Sequence, residues 1–468
     1  MTIKSALTVL LLFCTISTLQ SQEVYKYAIF FKKKGINNPY SVNQPEAYLS
    51  KRAIERKNRM GIKISKTDLP VNPKYVEEIK KLIPSALVLN KSKWLNFVVI
   101  QTTDSSWRKT IKLPSYVREI KLIYTGKPPK STSNRVFSPS TAGNDCSKID
   151  LKSIQYGSAD FQVKSLKLNE LHQQNNLGQD VVIAVLDGGF SNVDKIEAFH
   201  HLRQANRILG TFDFAGNETE VYGDGEHGTM VLGCMAGYVE NKILGTAPFA
   251  SYYLLRTEET GSETVSEEYN WVSGAEFADS VGADLINSSL GYTKFDKNNG
   301  SYTYADMNGK TALISRGANI AVSKGILVVN SAGNSGNDSW KYIGAPADAE
   351  KVFSIGATNK LDERVAFSSV GPTSDGRIKP NVMALGSYSA VINASGSVTN
   401  ASGTSFSSPI MCGALACLMQ KYKYLKPELI MRAVEASSNN ATTPTAEMGY
   451  GIPDFTKADK LLSEKKKR

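Results

Sequence analysis

Val181-Val-Ile-Ala-Val-Leu-Asp-Gly-Gly189 is the stretch on which the architecture turns. An uninterrupted apolar run, rich in β-branched residues, ends abruptly in an aspartate and two glycines. A short run of this kind, bounded by turn residues, reads as a strand buried on both faces. Ala283-Asp-Leu-Ile-Asn287, Ile326-Leu-Val-Val-Asn330 and Val352-Phe-Ser-Ile-Gly356 repeat the pattern, with helix-compatible stretches at 268–281 and 312–324 between them. Strands alternating with helices predict an α/β fold whose mostly parallel sheet is covered by helices on both faces. Ligand sites in that architecture lie at the carboxyl ends of strands, which is where Asp187 stands. An aspartate at such a turn also serves as a cap or a metal ligand, so Asp187 alone decides no function.

Outward from this segment the chain divides. Its 468 residues exceed what one core organises, so two folded units and a leader are expected. Lys4, the apolar run Ala6 to Cys14 and the small polar stretch Thr18 to Gln22 have the layout of a secretory signal peptide over residues 1–22. Residues 23–125 read as a small α/β domain. Val24–Phe31, Trp94–Ile100 and Tyr116–Tyr124 suggest strands; Pro45–Met60 and the face Tyr75, Ile79, Leu82 suggest helices. Residues 126–154, with Gly126-Lys-Pro-Pro-Lys-Ser-Thr-Ser133, form a protease-sensitive linker. Residues 155–462 form the main unit, and 463–468 a basic tail.

Residues 1–150 carry 26 Lys+Arg against 10 Asp+Glu, and residues 151–468 carry 29 against 34, so the net +11 splits into +16 and −5. The basic excess therefore lies outside the region that carries the candidate chemistry, which argues against nucleic acid as a partner and allows the two units to dock by charge. No second long apolar run follows the leader, so no membrane association is expected of the mature form. Cys146, Cys234, Cys412 and Cys417 show no metal-binding spacing; the last three fall in apolar helical runs and read as buried thiols.

Two further segments carry reactive side chains. His227 lies in Gly223-Asp-Gly-Glu-His-Gly-Thr-Met-Val-Leu-Gly233, with small and apolar residues after it that suggest a packed helix. No second histidine stands at helical ligand spacing, so a metal site is disfavoured. Ser405 lies in Ala401-Ser-Gly-Thr-Ser-Phe-Ser-Ser-Pro409, at the start of another apolar helix. It could be a plain N-cap, or a nucleophile facing the positive end of that helix. A serine hydroxyl becomes a nucleophile only when an imidazole takes its proton and a carboxylate holds the imidazole, and this chain supplies Asp187, His227 and Ser405 in that order.

With these motifs on view, residues 155 to about 460 resemble the subtilisin-like serine proteases. Val182-Ile-Ala-Val-Leu-Asp187, His227-Gly-Thr229 and Gly403-Thr-Ser-Phe-Ser-Ser-Pro409 match the family's three signature segments. The resemblance implies a subtilisin-like fold and a serine endopeptidase acting through an acyl-enzyme on protein or peptide substrates. By the same match Asn334, in Val328-Val-Asn-Ser-Ala-Gly-Asn334, supplies the oxyanion amide, and Ser289, Leu290, Gly291 and Gly333 line the substrate cleft. Residues 23–125 resemble the family's propeptides, which implies a zymogen with its own N-terminal unit as inhibitor. Two positions depart from the pattern: Gly188 replaces a hydroxyl residue after the aspartate, and Met383-Ala-Leu-Gly386 replaces Ala-Pro-Gly at the pocket floor.

An α/β-hydrolase esterase would need Gly-x-Ser-x-Gly and the order Ser, Asp, His, which this chain lacks. A catalytically idle binding protein on the same fold is the remaining alternative. The chemistry requires no cofactor or metal. Structural calcium is common in the family, but no loop spacing fixes a site. Asn-x-Ser/Thr triplets at Asn287 and Asn400 fall beside the expected cleft, where a glycan would obstruct substrate; they read as chance, and the protein as bacterial, secreted or periplasmic.

Overall fold

A computed structural model describes residues 23–127, 153–296 and 300–466. The expected leader, most of the linker, and Cys14 and Cys146 lie outside the described residues.

The N-terminal unit is an antiparallel sheet of β1 (Val24–Phe31), β2 (Leu87–Ser92), β3 (Phe97–Thr102) and β4 (Val117–Gly126), in the order β2-β3-β1-β4. Alternate residues of its strands serve two cores. Tyr27, Ile29, Phe31, Val98 and Ile100 pack with Val76 and Ile79 of helix α2 (Pro73–Leu82), while Ala28, Phe30, Phe97 and Val99 face the second unit. Both faces are covered, so β1 reads as a continuous apolar run.

The main unit is built on a seven-stranded parallel sheet. Its strands are β5 (Val182–Asp187), β6 (Ile208–Asp213), β7 (Ser251–Arg256), β8 (Leu285–Ser288), β9 (Leu327–Ser331), β10 (Phe353–Thr358) and β11 (Val382–Leu385), in the order β11-β10-β9-β8-β5-β7-β6. The chain starts in the middle at β5, runs out to β6, returns to β7, then crosses to β8 and proceeds to the other edge. The order reverses between β5 and β8, so a crevice opens at their carboxyl ends, which carry Asp187 and Ser288. Ile183 and Val185 join a core with helices α3 (His227–Ala236) and α6 (Thr404–Tyr422). Val182, Ala184 and Leu186 join the opposite core, with α4 (Val265–Val281) and α5 (Leu313–Ser323). This is the two-faced α/β architecture expected from the sequence, and Cys234, Cys412 and Cys417 are buried free thiols within it.

The units dock through α4. Phe30 and Phe97 pack edge-on against Tyr269 at 6.2 and 5.0 Å between ring centres. Each phenylalanine buried there contributes about 1.5–3 kcal/mol. Around this apolar patch the expected charge complementarity takes a concentrated form. Asp279 of α4, fully buried, pairs with Arg56 at 2.5 Å and Lys57 at 2.7 Å from helix α1 (Lys51–Arg59), and with Lys93 at 3.1 Å. Burial opposes ionisation of Asp279, but Lys93, Lys57 and Arg56 outweigh it and hold the carboxyl well below the usual range. Glu276 accepts from the Ser92 hydroxyl and from the backbone N–H groups of Lys93 and Trp94. Because these groups are buried, salt screens them far less than it would a surface patch.

Several elements differ from expectation. Pro45–Met60 is not one helix: a 3-10 turn at Pro45–Ala47 precedes α1, whose start is fixed by Ser50 accepting from the Ala53 N–H at 3.1 Å. Trp94–Asn96 is a turn rather than strand, with Asn96 in a left-handed conformation (φ 57°). The half-exposed edge strand β2 was not anticipated, because Leu87-Val-Leu89 gives way at once to Asn-Lys-Ser. At the carboxyl end, helix α7 (Phe455–Lys466) continues into the segment read as a basic tail.

Candidate active site

Asp187 is the last residue of β5 and is fully buried. His227 opens α3, and what draws the two together is close backbone approach: a Cβ on Gly228 would fall 2.3 Å from the Gly189 carbonyl oxygen. Small residues on both sides let the turn after β5 touch the start of α3. His227 Nδ1 then lies 2.8 Å from Asp187 Oδ1. A carboxylate only accepts, so Nδ1 carries the proton and Nε2 presents a lone pair. The Asp187 charge raises the imidazole above its ordinary value, against the opposing effect of burial; the hydrogen bond and Glu258 add to the rise. Asp187 Oδ1 also accepts from the Gly188 N–H at 2.8 Å, while Oδ2, buried, has no partner among the described residues. A side-chain hydroxyl at position 188 is what the sequence comparison with the family found missing.

Ser405 is the second residue of α6, behind the cap residue Gly403. It is therefore not the N-cap, which removes the structural reading left open by its sequence. Gly403 has φ 154°, a conformation that side chains disfavour. Ser405 is 9% exposed, and its hydroxyl donates a long 3.4 Å hydrogen bond to the Ser289 carbonyl. The next residue, Phe406, packs with its ring 6.0 Å from the imidazole of His227 between centres.

Pro409 explains a contact that sequence reasoning missed. Lacking an N–H, it leaves the Ser405 carbonyl, four residues earlier, without its helical partner. The Ser289 hydroxyl supplies one at 2.9 Å. Ser289 thus ties the end of β8 to the start of α6 and holds both walls of the crevice together.

Thr404 is the second residue missed. Its backbone N–H and hydroxyl both donate to Asn334 Oδ1 at 2.9 Å, so the Asn334 amide nitrogen is turned toward Gly403 and the mouth of α6. The free N–H groups of the first turn of α6 point the same way. The Gly333 N–H donates to the Thr404 hydroxyl at 3.2 Å, bracing the residue that orients Asn334. Ser289, Leu290 and Gly291 line a cavity of about 560 Å³ together with Asp187 and His227.

That cavity also holds groups the sequence did not single out. Glu258, Glu263 and Glu267 bring carboxylate oxygens within 4.8 Å of one another, the one such acidic group among the described residues. Some of these oxygens are engaged by the protein: Glu258 accepts from the hydroxyls of Tyr292 and Thr257, and Glu267 from the N–H groups of Glu259 and Thr264. His172 is elsewhere and structural: its ring nitrogens meet the Tyr156 hydroxyl and the Thr246 carbonyl, and burial pushes it down to about 4. Asn287, at 0% exposure in β8, is closed to glycosylation in the folded protein.

Comparison with known proteins bears on the family and the fold. The family model described as the subtilase family matches residues 178–451, and that of the peptidase S8 propeptide domain of Bacteroidota matches residues 26–136. Subtilisin NAT of Bacillus subtilis subsp. natto is 33% identical over 276 residues, which are 58% of this chain and 62% of that protein. The subtilisin of Bacillus pumilus is 32% identical over 276 residues and matched over 86% of its length. The chain spans about 62% of the length of the first of these relatives. Among solved structures, MycP1 with its N-terminal propeptide removed shares the fold, with a TM-score of 0.51 at 20% identity, over 64% of this chain and 96% of that one. With a family model covering more than half of its length, and an Asp, His and Ser gathered at the switch point of a parallel sheet, this chain belongs to the subtilase family.

Proposed function

We propose that the chain is a bacterial, exported serine endopeptidase made as a zymogen, with Ser405 as nucleophile, His227 as general base and Asp187 as the carboxylate that orients it. The observation that carries this reading is the 2.8 Å bond from His227 Nδ1 to buried Asp187, with the His227 ring packed against Phe406, the residue that follows Ser405 in the first turn of a helix. His227 Nε2 takes the Ser405 proton as Oγ attacks the scissile carbonyl, then returns it to the leaving amine. The negative oxygen that forms meets the Asn334 amide and the Ser405 N–H, with the positive end of α6 behind them. Water then hydrolyses the acyl-enzyme by the same proton path. Substrate would lie extended along Ser289–Gly291 as an added strand.

The N-terminal unit, residues 23–125, is the inhibitory propeptide in this account, and the processing cut falls within 126–154. In support, β1 and β4 reach the wall of the crevice: Lys26 pairs with Glu259 at 2.5 Å, beside the ring of Tyr124, so the chain leaves β4 next to the cleft. Export rests on the leader-like residues 1–22; no helix among the described residues is long and apolar enough to cross a membrane. Neither cofactor nor metal has a role in the proposed chemistry.

Processed protein should cleave an unfolded protein such as reduced casein, and a serine-directed sulfonyl fluoride should stop it; a processed protein with no such activity contradicts the proposal. Two further outcomes are expected. Asn334→Ala should lower kcat by roughly 10²- to 10³-fold with little change in KM. Thr404→Val, which removes one of the two donors holding Asn334 Oδ1, should cause part of that loss; unchanged kcat in both would remove Asn334 from the oxyanion site. Second, kcat/KM should rise with pH through a midpoint above about 6.5, the unperturbed imidazole value. Only neutral His227 accepts a proton, and the Asp187 charge raises its pKa, so the acid limb shifts upward. In Asp187→Asn the residual activity should show that limb at lower pH.

A further inference from the structure

The crevice wall beside His227 carries a charge that the hydrolytic machinery does not need. Glu258, Glu259, Glu263, Glu267 and Asp296 line the cavity with Asp187, and no lysine or arginine does so among the described residues. Two observations show that a donor belongs there. Asp187 is one of the lining residues, and its buried Oδ2 has no partner among the described residues. And the chain itself seats a lysine on the rim: Lys26, only 2% exposed, donates to Glu259 Oε1 at 2.5 Å. Lys26 belongs to the N-terminal unit, so its departure leaves Glu259 open. Burial first, and then repulsion from neighbouring carboxylates, push Glu258, Glu263 and Glu267 upward, so these groups hold their protons readily and ionise fully only when a cation is brought to them. Leu290 and Tyr292 add apolar surface to the same cavity, suited to the aliphatic stem of a long basic side chain.

We propose that this cavity is a subsite for lysine or arginine side chains of the peptide substrate, at one or more positions preceding the scissile bond, with Glu263 and Asp296 as specificity-determining residues. The inference rests on the peptidase reading and names the substrate class of that site. The Glu263 side chain makes no hydrogen bond among the described residues, and Asp296, exposed at the cavity mouth, accepts from the Glu263 backbone N–H at 3.1 Å through Oδ2 alone. Glu259, freed of Lys26, completes the set.

The test uses the full chain after processing, with active sites counted by a fluorophosphonate titrant, and internally quenched peptides that differ at one position before the cleaved bond (Lys, Arg, Ala or Glu). At one position or more, Lys or Arg should exceed Ala in kcat/KM by about tenfold or more, with Glu below Ala. Glu263→Gln combined with Asp296→Asn should bring Lys and Ala close together at full active-site titre. Asp296→Asn alone, an exposed change that leaves folding undisturbed, should lower the ratio part of the way. Active enzyme with no basic preference, or one that keeps its preference in the double variant, overturns the subsite. So does a preference that calcium chloride abolishes and EDTA restores, since a metal would then own the cavity. Absence of both titratable serine and hydrolysis overturns the peptidase reading, and the subsite with it.

Discussion

Ser405→Ala should lower kcat by roughly 10⁶-fold, the loss expected when the nucleophile of a serine triad is removed. The fold should be unaffected, because the residue's structural contacts come from its backbone: its carbonyl accepts from the Ser289 hydroxyl, while its own hydroxyl makes one long bond. Alanine also suits the first turn of a helix. Far-ultraviolet circular dichroism and thermal melting should therefore match the parent while peptide hydrolysis disappears. The variant should also accumulate as the uncut chain if processing is self-catalysed. A processed Ser405→Ala protein retaining more than about one part in a thousand of the parent kcat would require another nucleophile.

The second large effect is expected far from the chemistry. Asp279→Asn removes the carboxylate that pairs with Arg56 and Lys93 at the interface between units, and one of the two that pair with Lys57, leaving that lysine only Asp68 at 3.4 Å. Arg56 and Lys57 are 0% exposed, so in the variant they must stay buried without a full counter-charge or leave the interface. Breaking a buried pair in this way typically costs about 3–5 kcal/mol, more than the polar contacts around it return. In an uncut Ser405→Ala background, undocking should become roughly 10²- to 10³-fold more populated. Limited proteolysis reads that population directly when opening is fast compared with cleavage. The N-terminal unit should be digested correspondingly faster, while the main unit resists as before. Equal digestion rates would mean that the apolar patch around Phe30, Phe97 and Tyr269, with the Lys26–Glu259 and Arg52–Asp284 pairs, holds the units together without Asp279.

The parts of this molecule that were readable in the sequence are those set by local composition. The buried strand ending in Asp187 announces itself because an all-apolar run and a Gly-Gly turn have few other uses, and Ser405 and His227 each open a helix of small and apolar residues. Charge asymmetry likewise foretold that the units would meet through opposite charges. What stayed hidden depends on residues remote in the chain. Thr404 looks like filler until Asn334 is brought beside it, and Ser289 gains its role from an N–H that Pro409 lacks. Glu258, Glu263 and Glu267 carry no local signal, since nothing in their own segment says that it lies over the crevice next to Asp187. The misread strand at Trp94–Asn96 fails for the same reason. Its apolar residues are buried by docking onto α4, where Glu276 takes the Trp94 N–H, and not by a place in the sheet.

The central claim is that Ser405 is an activated nucleophile masked by the N-terminal unit. Fluorophosphonate labelling followed by peptide mapping tests it most directly. The account predicts a single adduct on Ser405 in processed protein, none in Ser405→Ala, and slow labelling while the N-terminal unit remains docked. No adduct in processed protein, or one on another residue, would contradict it.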